Sequence, residues 1–341
     1  MICILSHSQV ETSTEEVMDW LRSWKVPFIR INGSDIDSRG GMLISIGNTG
    51  VKDRLAIDGV TMVTDEIRVV WYRRWAYRNS YRSADLFRDH GHSTATNIYS
   101  TYLHVFRELQ GVSHFLFSRM ASAKWLSDPA NASVNKLQVL KLAAEMGLDI
   151  PETIVTTSME EARRFAARHG EIITKSISEM LMCNFDGKLY ANYTSSVSEE
   201  FLVNEAWQGT FPSLFQEKLR KKYEIRIFYL DGECYSMAMF TQDNVMTQTD
   251  FRKYSYDRPT RTVPYRLQPQ VEDRLRSLMK ALRLDTGSID MIRTVDGRDV
   301  FLEVNPVGQF GMVSEPCNYF LEEKVARALA DRLYETEKPT S

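Results

Sequence analysis

Asp-Gly stands between apolar or aromatic runs three times, at Asp186-Gly187, Asp231-Gly232 and Asp296-Gly297. A two-residue type I′ turn needs φ > 0 at both central residues, which Asp tolerates and Gly adopts freely, so each dipeptide predicts a tight hairpin of determined register. After about residue 200 the chain accordingly reads as long antiparallel strands joined by tight turns, with one helix over 269–282. The earlier part alternates instead. Ile2 to Ser6 predicts a strand, and Ser13-Thr14-Glu15-Glu16 ahead of Val17, Trp20, Leu21 and Trp24 predicts a capped helix. Phe28 to Ile31, Met42 to Ile46 and Val69 to Tyr72 read as further strands, the last ending in Arg73-Arg74, and Ile98 to Leu116 as a helix. Turn residues cluster at Ser127-Asp128-Pro129-Ala130-Asn131. Beyond them come a helix from Ser133 closed by Gly147, a strand before Pro151, a helix from Ser158 to His169 ended by Gly170, and a strand from Ile172 to Lys175.

These patterns predict an α/β (α+β) protein in three parts: an N-terminal α/β domain (1–120), a central βα domain (121–205) and a C-terminal antiparallel domain (206–335), with a frayed tail (336–341). With 42 Lys+Arg against 45 Asp+Glu in 341 residues, a formal net charge of −3 argues against a binder of long polyanions. No run reaches the roughly 18 apolar residues of a membrane helix, and the start lacks the basic and apolar regions of a signal peptide. The four cysteines form no CxxC pair, so free buried thiols in a reducing cytoplasm are expected. No P-loop, GxGxxG, HExxH or GxSxG occurs. His90 and His92 share a polar loop without an obvious third ligand and read as surface.

The third hairpin carries chemistry. If Asp296 and Gly297 form its loop, Val295 faces Arg298, and counting back along both strands Asp290 faces Glu303 and Ile292 faces Phe301. The two-residue period adds Asn305 to the face of the two acids. Facing carboxylates repel unless a cation lies between them, and two carboxylates with an amide oxygen are a hard, incomplete set that suits Mg²⁺ completed by water and phosphate. A solvated polar face in a slightly different register is the plain alternative. In the second hairpin Glu224, Arg226 and Phe228 fall on one face and Ile225, Ile227 and Tyr229 on the other. Arg226 and Glu224 either pair with each other or, beside a metal, grip a phosphate and a ribose hydroxyl. Lys136 in the first turn of a helix is an odd cation beside the positive end of the dipole, which a bound anion would explain. Lys175 ends a strand.

The ordered set Lys136, Lys175, Phe215-Gln216-Glu217-Lys218-Leu219, Tyr223-Glu224-Ile225-Arg226, Thr249-Asp250-Phe251-Arg252, Asp290 and Glu303-Val304-Asn305-Pro306 resembles the ATP-grasp superfamily of carboxylate ligases. Val70-Trp71-Tyr72-Arg73-Arg74 and Thr249-Asp250-Phe251-Arg252 look like the graspetide synthetases, which join side chains of a ribosomal precursor peptide into ω-ester or ω-amide rings. The segment Asn305 to Ser314, then Pro316-Cys317-Asn318-Tyr319, is similar to the grasp-with-spasm peptide maturases. The resemblance implies an ATP-grasp fold, with a pre-ATP-grasp domain first and ATP between the central and C-terminal parts. It implies Lys136 and Lys175 on the α- and β-phosphates, Gln216, Glu217 and the backbone near Leu219 at the adenine, and Glu224 on ribose. Arg226 and Arg252 would be the catalytic groups facing the γ-phosphate and acyl phosphate, with Asp290, Glu303 and Asn305 holding Mg²⁺. Arg73, Arg74 and Asp250 would meet the core peptide, and Met182 in the first Asp-Gly hairpin a helical leader, unless Arg73 and Arg74 form structural ion pairs and the hairpin is a lid over ATP. Implied partners are the precursor peptide, a radical-SAM/SPASM protein and a second copy of the chain. A ligase for a small amino acid or a protein tail, and a nucleotide-binding scaffold without turnover, stay open.

Overall fold

Ile2, Cys3, Ile4 and Leu5 are all buried, the pattern of a parallel strand covered on both faces. The computed structural model describes residues 1–9, 11–36, 41–57, 59–75, 95–178, 181–203, 211–241 and 260–337. Asp250 and Arg252, with His90 and His92, lie outside these residues. β1 (Ile2–Ser6) is flanked by β2 (Phe28–Asn32) and β6 (Val69–Tyr72), with β7 (Lys124–Leu126) beyond, all parallel. α1 (Thr12–Ser23) begins with Glu11 as its N-cap, so Ser13 and Thr14 lie inside the first turn rather than capping it. β3 (Met42–Gly47), β4 (Gly50–Ile57) and β5 (Val60–Met62) form a separate antiparallel sheet. Its buried Asp53 accepts from the Thr64 amide (2.7 Å) and hydroxyl (2.6 Å), and from Arg119 Nε (3.0 Å) at the end of α2 (Ala95–Arg119).

Two units divide the chain: Met1–Ala132 with the stretch from Phe320 on, and Ser133–Tyr319. The second opens with α3 (Lys136–Glu145), whose N-cap Asn135 accepts from the amides of Leu137 (3.0 Å) and Gln138 (3.2 Å). The strand expected before Pro151 is reduced to one bridge between Asp149 and Val300. β8 (Thr153–Thr156), α4 (Met159–His169) and β9 (Ile172–Lys175) follow, with Ser158 capping the helix and Gly170 ending it at φ 76°. Next come the hairpin β10 (Met182–Phe185) and β11 (Lys188–Ala191), then β12 (Ser195–Ser196), α5 (Glu199–Val203) and β13 (Ser213–Glu217). The four strands β12-β9-β13-β8 pair antiparallel, and Phe165 of α4 packs on Ile172 and Phe215.

The five-stranded antiparallel sheet, in the order β16-β15-β14-β17-β18, contains β14 (Lys221–Leu230), β15 (Glu233–Phe240), β16 (Arg261–Tyr265), β17 (Thr286–Thr294) and β18 (Asp299–Asn305), with α6 (Pro269–Ala281) between β16 and β17. Val139, Leu140 and Ala143 of α3 and Leu275 and Leu278 of α6 cover one face, against Ile225, Ile227, Ile289, Met291 and Phe301. α7 (Gly311–Cys317) ends the unit. α8 (Leu321–Glu337) belongs to the first unit, where Arg327 lies over the Trp24 ring at 4.9 Å. It continues through Glu337, so the first two residues of the 336–341 tail are helical rather than frayed.

Two Asp-Gly hairpins have the predicted turn, with φ of 49° and 76° at Asp186 and Gly187 and of 47° and 94° at Asp231 and Gly232. The third does not. Only Gly297 has positive φ, the Thr294 amide donates to Arg298 O at 2.9 Å, and residues 295–297 form the loop. A bulge between Asp290 and Met291 on β17 and Phe301 and Glu303 on β18 then takes up one residue. The expected pairing of Ile292 with Phe301 is thus wrong: Phe301 faces Met291 in the core and Val300 faces Ile292. The observed register buries the Phe301 ring completely and sets Asp299 2.8 Å from Arg293 Nε. Burial of one such ring stabilises by about 2 kcal/mol, enough to offset a broken ladder step.

All four cysteines are free. Cys3 and Cys317 are buried as expected, but Cys183 and Cys234 are half-buried. Among the described residues no helix is long and apolar enough to cross a membrane.

Candidate active site

The face of the five-stranded sheet turned away from α3 and α6 carries the acids and bases. Because strand side chains alternate, burying Ile225 and Ile227 turns Glu224, Arg226 and Phe228 to the other face. β14 pairs with β17 so that Arg226 faces Asp290 and Phe228 faces Ser288, and β17 pairs with β18 so that Asp290 faces Glu303 and Ser288 faces Asn305. The expected facing of Asp290 and Glu303 is therefore present. It survives because the extra loop residue and the bulge cancel before the ladder reaches Asp290.

Cations lie on these acids. Arg226 Nη1 is 2.6 Å from Asp290 Oδ1 and 2.8 Å from Oδ2. Lys136 Nζ is 3.3 Å from Glu303 Oε2, so in this structure the anion beside the first turn of α3 is a protein carboxylate. Lys221 Nζ contacts Glu224 Oε1, and the Thr241 hydroxyl donates to that oxygen at 3.0 Å. The sequence marks neither partner of Glu224. Lys221 reaches it across a strand irregularity between Lys221 and Tyr223, which breaks the alternation a sequence shows. Asn305 Oδ1 accepts from the Val307 amide at 3.2 Å and keeps a second lone pair, while Asn305 O accepts from the Gly308 amide at 3.1 Å. The Ser288 hydroxyl donates to Gln309 O at 3.0 Å, and Phe310 packs on Phe228 with ring centroids 4.6 Å apart. The 305–310 turn is thereby held against the polar face.

Asp290, Glu303 and Asn305 offer two carboxylates and an amide oxygen at one end of one face, which fits a hard divalent ion. Among the described residues no group of three or more His, Cys, Asp and Glu side chains is placed to hold a metal, so such an ion would need phosphate and water to complete its shell.

A second set lies on the β12-β9-β13-β8 sheet. By register Lys175 faces Leu214 and shares a side with Gln216, opposite the side that Phe215 presents to α4. Gln216 is buried and its Nε2 donates to the Thr153 hydroxyl at 2.8 Å. Glu217 exchanges bonds with Glu152, its amide donating to Glu152 O (3.0 Å) and its Oε1 accepting from the Glu152 amide (3.0 Å). Leu219, half-buried, follows the strand.

The residues expected to touch peptide divide. Arg73 is 3 % exposed, its Nη2 donates to Glu11 Oε1 at 2.6 Å, and its guanidinium lies 5.3 Å from the Trp71 ring. It is a structural ion pair. Arg74 is more open, its Nε 3.6 Å from the same oxygen. Burial pushes the Glu11 carboxyl up, but Arg73, the Thr14 hydroxyl and Arg74 outweigh it and hold the group below the usual carboxylate range. Met182, with Leu181 and Tyr190, stands more than half exposed on the isolated β10–β11 hairpin.

No family model and no curated protein sequence matches this chain. Solved structures do. A RiPP-associated ATP-grasp ligase of Chryseobacterium gregarium, in complex with ADP and a leader and core peptide, superposes with a TM-score of 0.81 at 24% identity, covering 98% of this chain and 96% of that one. The macrocyclase MdnC of Microcystis aeruginosa, bound with precursor peptide MdnA, gives 0.76 at 24% identity over 97% and 99%. The ATP-grasp ligase PsnB, complexed with a phosphomimetic variant of minimal precursor, Mg and ADP, gives 0.72 at 19% identity over 97% and 98%. At these identities the likeness speaks to architecture, and across nearly its whole length this chain has the fold of the ATP-grasp ligases.

Proposed function

We propose that the chain is an ADP-forming ATP-grasp ligase of graspetide biosynthesis, which phosphorylates Asp or Glu side chains of a ribosomal precursor peptide and joins them to Ser or Thr hydroxyls or Lys amines. The observation that carries this reading is Asp290 facing Glu303 on a sheet face that also presents Arg226, with Lys136 from the start of α3 reaching Glu303. The structural neighbours solved with ADP and with leader, core or precursor peptides support it.

In this reading Lys136 and Lys175 hold the α- and β-phosphates, and Gln216, Glu217 and the backbone at Leu219 border the adenine. Glu224, fixed by Lys221 and Thr241, takes a ribose hydroxyl. Asp290, Glu303 and Asn305 would hold Mg²⁺, which when bound offsets the charge of the phosphates. Arg226 and Arg252 stabilise charge on the transferring phosphoryl group, and Asp250 orients the peptide. The carboxylate oxygen of the peptide attacks the γ-phosphorus, ADP leaves, and the hydroxyl or amine then displaces phosphate from the acyl phosphate, losing its proton. Positioning and charge neutralisation supply most of the rate.

The exposed Leu181, Met182 and Tyr190 suit the apolar side of a helical leader. Removing the Asp186-Gly187 tip should then raise KM for peptide more than for ATP; the reverse order would make it a nucleotide lid. Arg74 rather than the sealed Arg73 meets the acidic core peptide. We assign the same protein a radical-SAM/SPASM partner, a homodimeric state and a cytoplasmic location. The decisive experiment is mass spectrometry of a precursor encoded beside the gene, incubated with the protein, ATP and Mg²⁺. Loss of one water mass per linkage is expected. Turnover with free amino acids but not peptide would favour a small-substrate ligase, and no ADP release with the precursor a binding scaffold.

A further inference from the structure

Three carboxylates of the proposed site, Glu224, Asp290 and Glu303, carry a cation apiece, and among the described residues these six charges cancel. Two of the pairs sit at an intermediate depth. The side chains of Arg226 and Asp290 are 14% and 20% exposed, and those of Lys136 and Glu303 25% and 32%. Such pairs are shielded enough to be stronger than on an open surface, yet reachable by a ligand that offers either partner something better. A lone divalent cation offers little. It gives up hydration reluctantly, meets carboxylates that already hold a cation, and must push two protein cations aside. A polyphosphate offers Lys136 and Arg226 a more highly charged set of acceptors.

We infer that Lys136 and Arg226 are internal counter-ions that bar the site to a divalent cation arriving alone. They release Glu303 and Asp290 to the metal only when phosphate oxygens draw them off. This rests on the ATP-grasp reading above and adds an order: metal and nucleotide enter together.

The test measures binding of bare Mn²⁺ to the full chain by loss of the free-ion EPR signal, and of Mn²⁺·AMPPNP by calorimetry. For the wild type the bare-ion Kd should lie at least tenfold above that of the complex. Lys136→Met should lower the bare-ion Kd severalfold and raise that of the complex, opposite signs that general damage would not produce. Loss of a cation at a helix N-terminus should leave the fold intact, which a thermal melt checks. A bare-ion Kd that is unchanged or raised in Lys136→Met overturns the inference while the site reading stands. If the wild type does not bind Mn²⁺·AMPPNP, or Glu303→Gln binds it equally well, the site reading fails and takes the inference with it.

Discussion

Arg73 and Arg226 each lie 2.6 Å from a carboxylate, one in each unit, and their surroundings give them different work. The side chains of Arg73 and Glu11 are 4% and 1% exposed, and Thr14 and Arg74 also serve Glu11. No ligand can exchange with that pair, which ties the carboxyl end of β6 to the start of α1. Arg226 and Asp290 keep several times that exposure and lie one ladder step from a second acid. Distance is the same in both; access separates a structural tie from a site.

The sharpest way to break this contrast is to remove one partner from each pair. Arg73→Met should cost about 3–5 kcal/mol in chemical denaturation, because it strands the Glu11 charge in a buried place, while the turnover of molecules that remain folded stays near wild type. Glu303→Gln should do the opposite: ligation falls by about a hundredfold or more with almost no change in Tm, since shape is kept and charge at the metal position is lost. Equal losses of stability from both would erase the distinction.

Gly308→Ala tests how firmly the site end is built. A Cβ there would collide with the Ser288 side chain and come within 3.2 Å of Asn305 O, so a cost of about 1–3 kcal/mol is expected, with KM for Mg²⁺·ATP raised more than that for peptide. The smallest effect is with pH. Glu11 has a depressed pKa in the folded chain, so its contribution is complete above the ordinary value near 4.5 and fades as pH falls through the lower native value. Glu11→Gln should therefore flatten the acid limb of the stability curve, and an unchanged limb in acid denaturation would contradict it.

Local signals made much of this architecture readable. Ile172 to Lys175 is the strand its run predicts, and Ser158 and Gly170 bound their helix as capping chemistry requires. β4 is hidden in the sequence because Lys52-Asp53-Arg54 interrupts the apolar pattern, and the reason, Asp53 bonding inward to Thr64 and Arg119, is a tertiary one. α8 has a signal in its sequence too: Leu321, Val325, Leu329 and Leu333 recur every four residues and all are buried. At the site, the alternation along β14 was legible, whereas the Lys221 contact depends on an irregularity without a sequence mark. Arg73 could not be sorted from Arg74 by sequence, because Glu11 stands 62 positions away.

The third hairpin carries one residue too many at its tip and one at its midpoint, around Val295 and Leu302. Cutting both codons from the gene would leave every facing pair from Thr294–Arg298 to Ser288–Asn305 as it is, with a plain Asp-Gly corner and an unbroken ladder. Besides the bond from the Val295 amide to Arg220 O at 2.9 Å, what would vanish is the local coiling the midpoint residue imposes, so a shortened enzyme could reveal whether ligation depends on the mere opposition of its acids or on the angle at which they are presented.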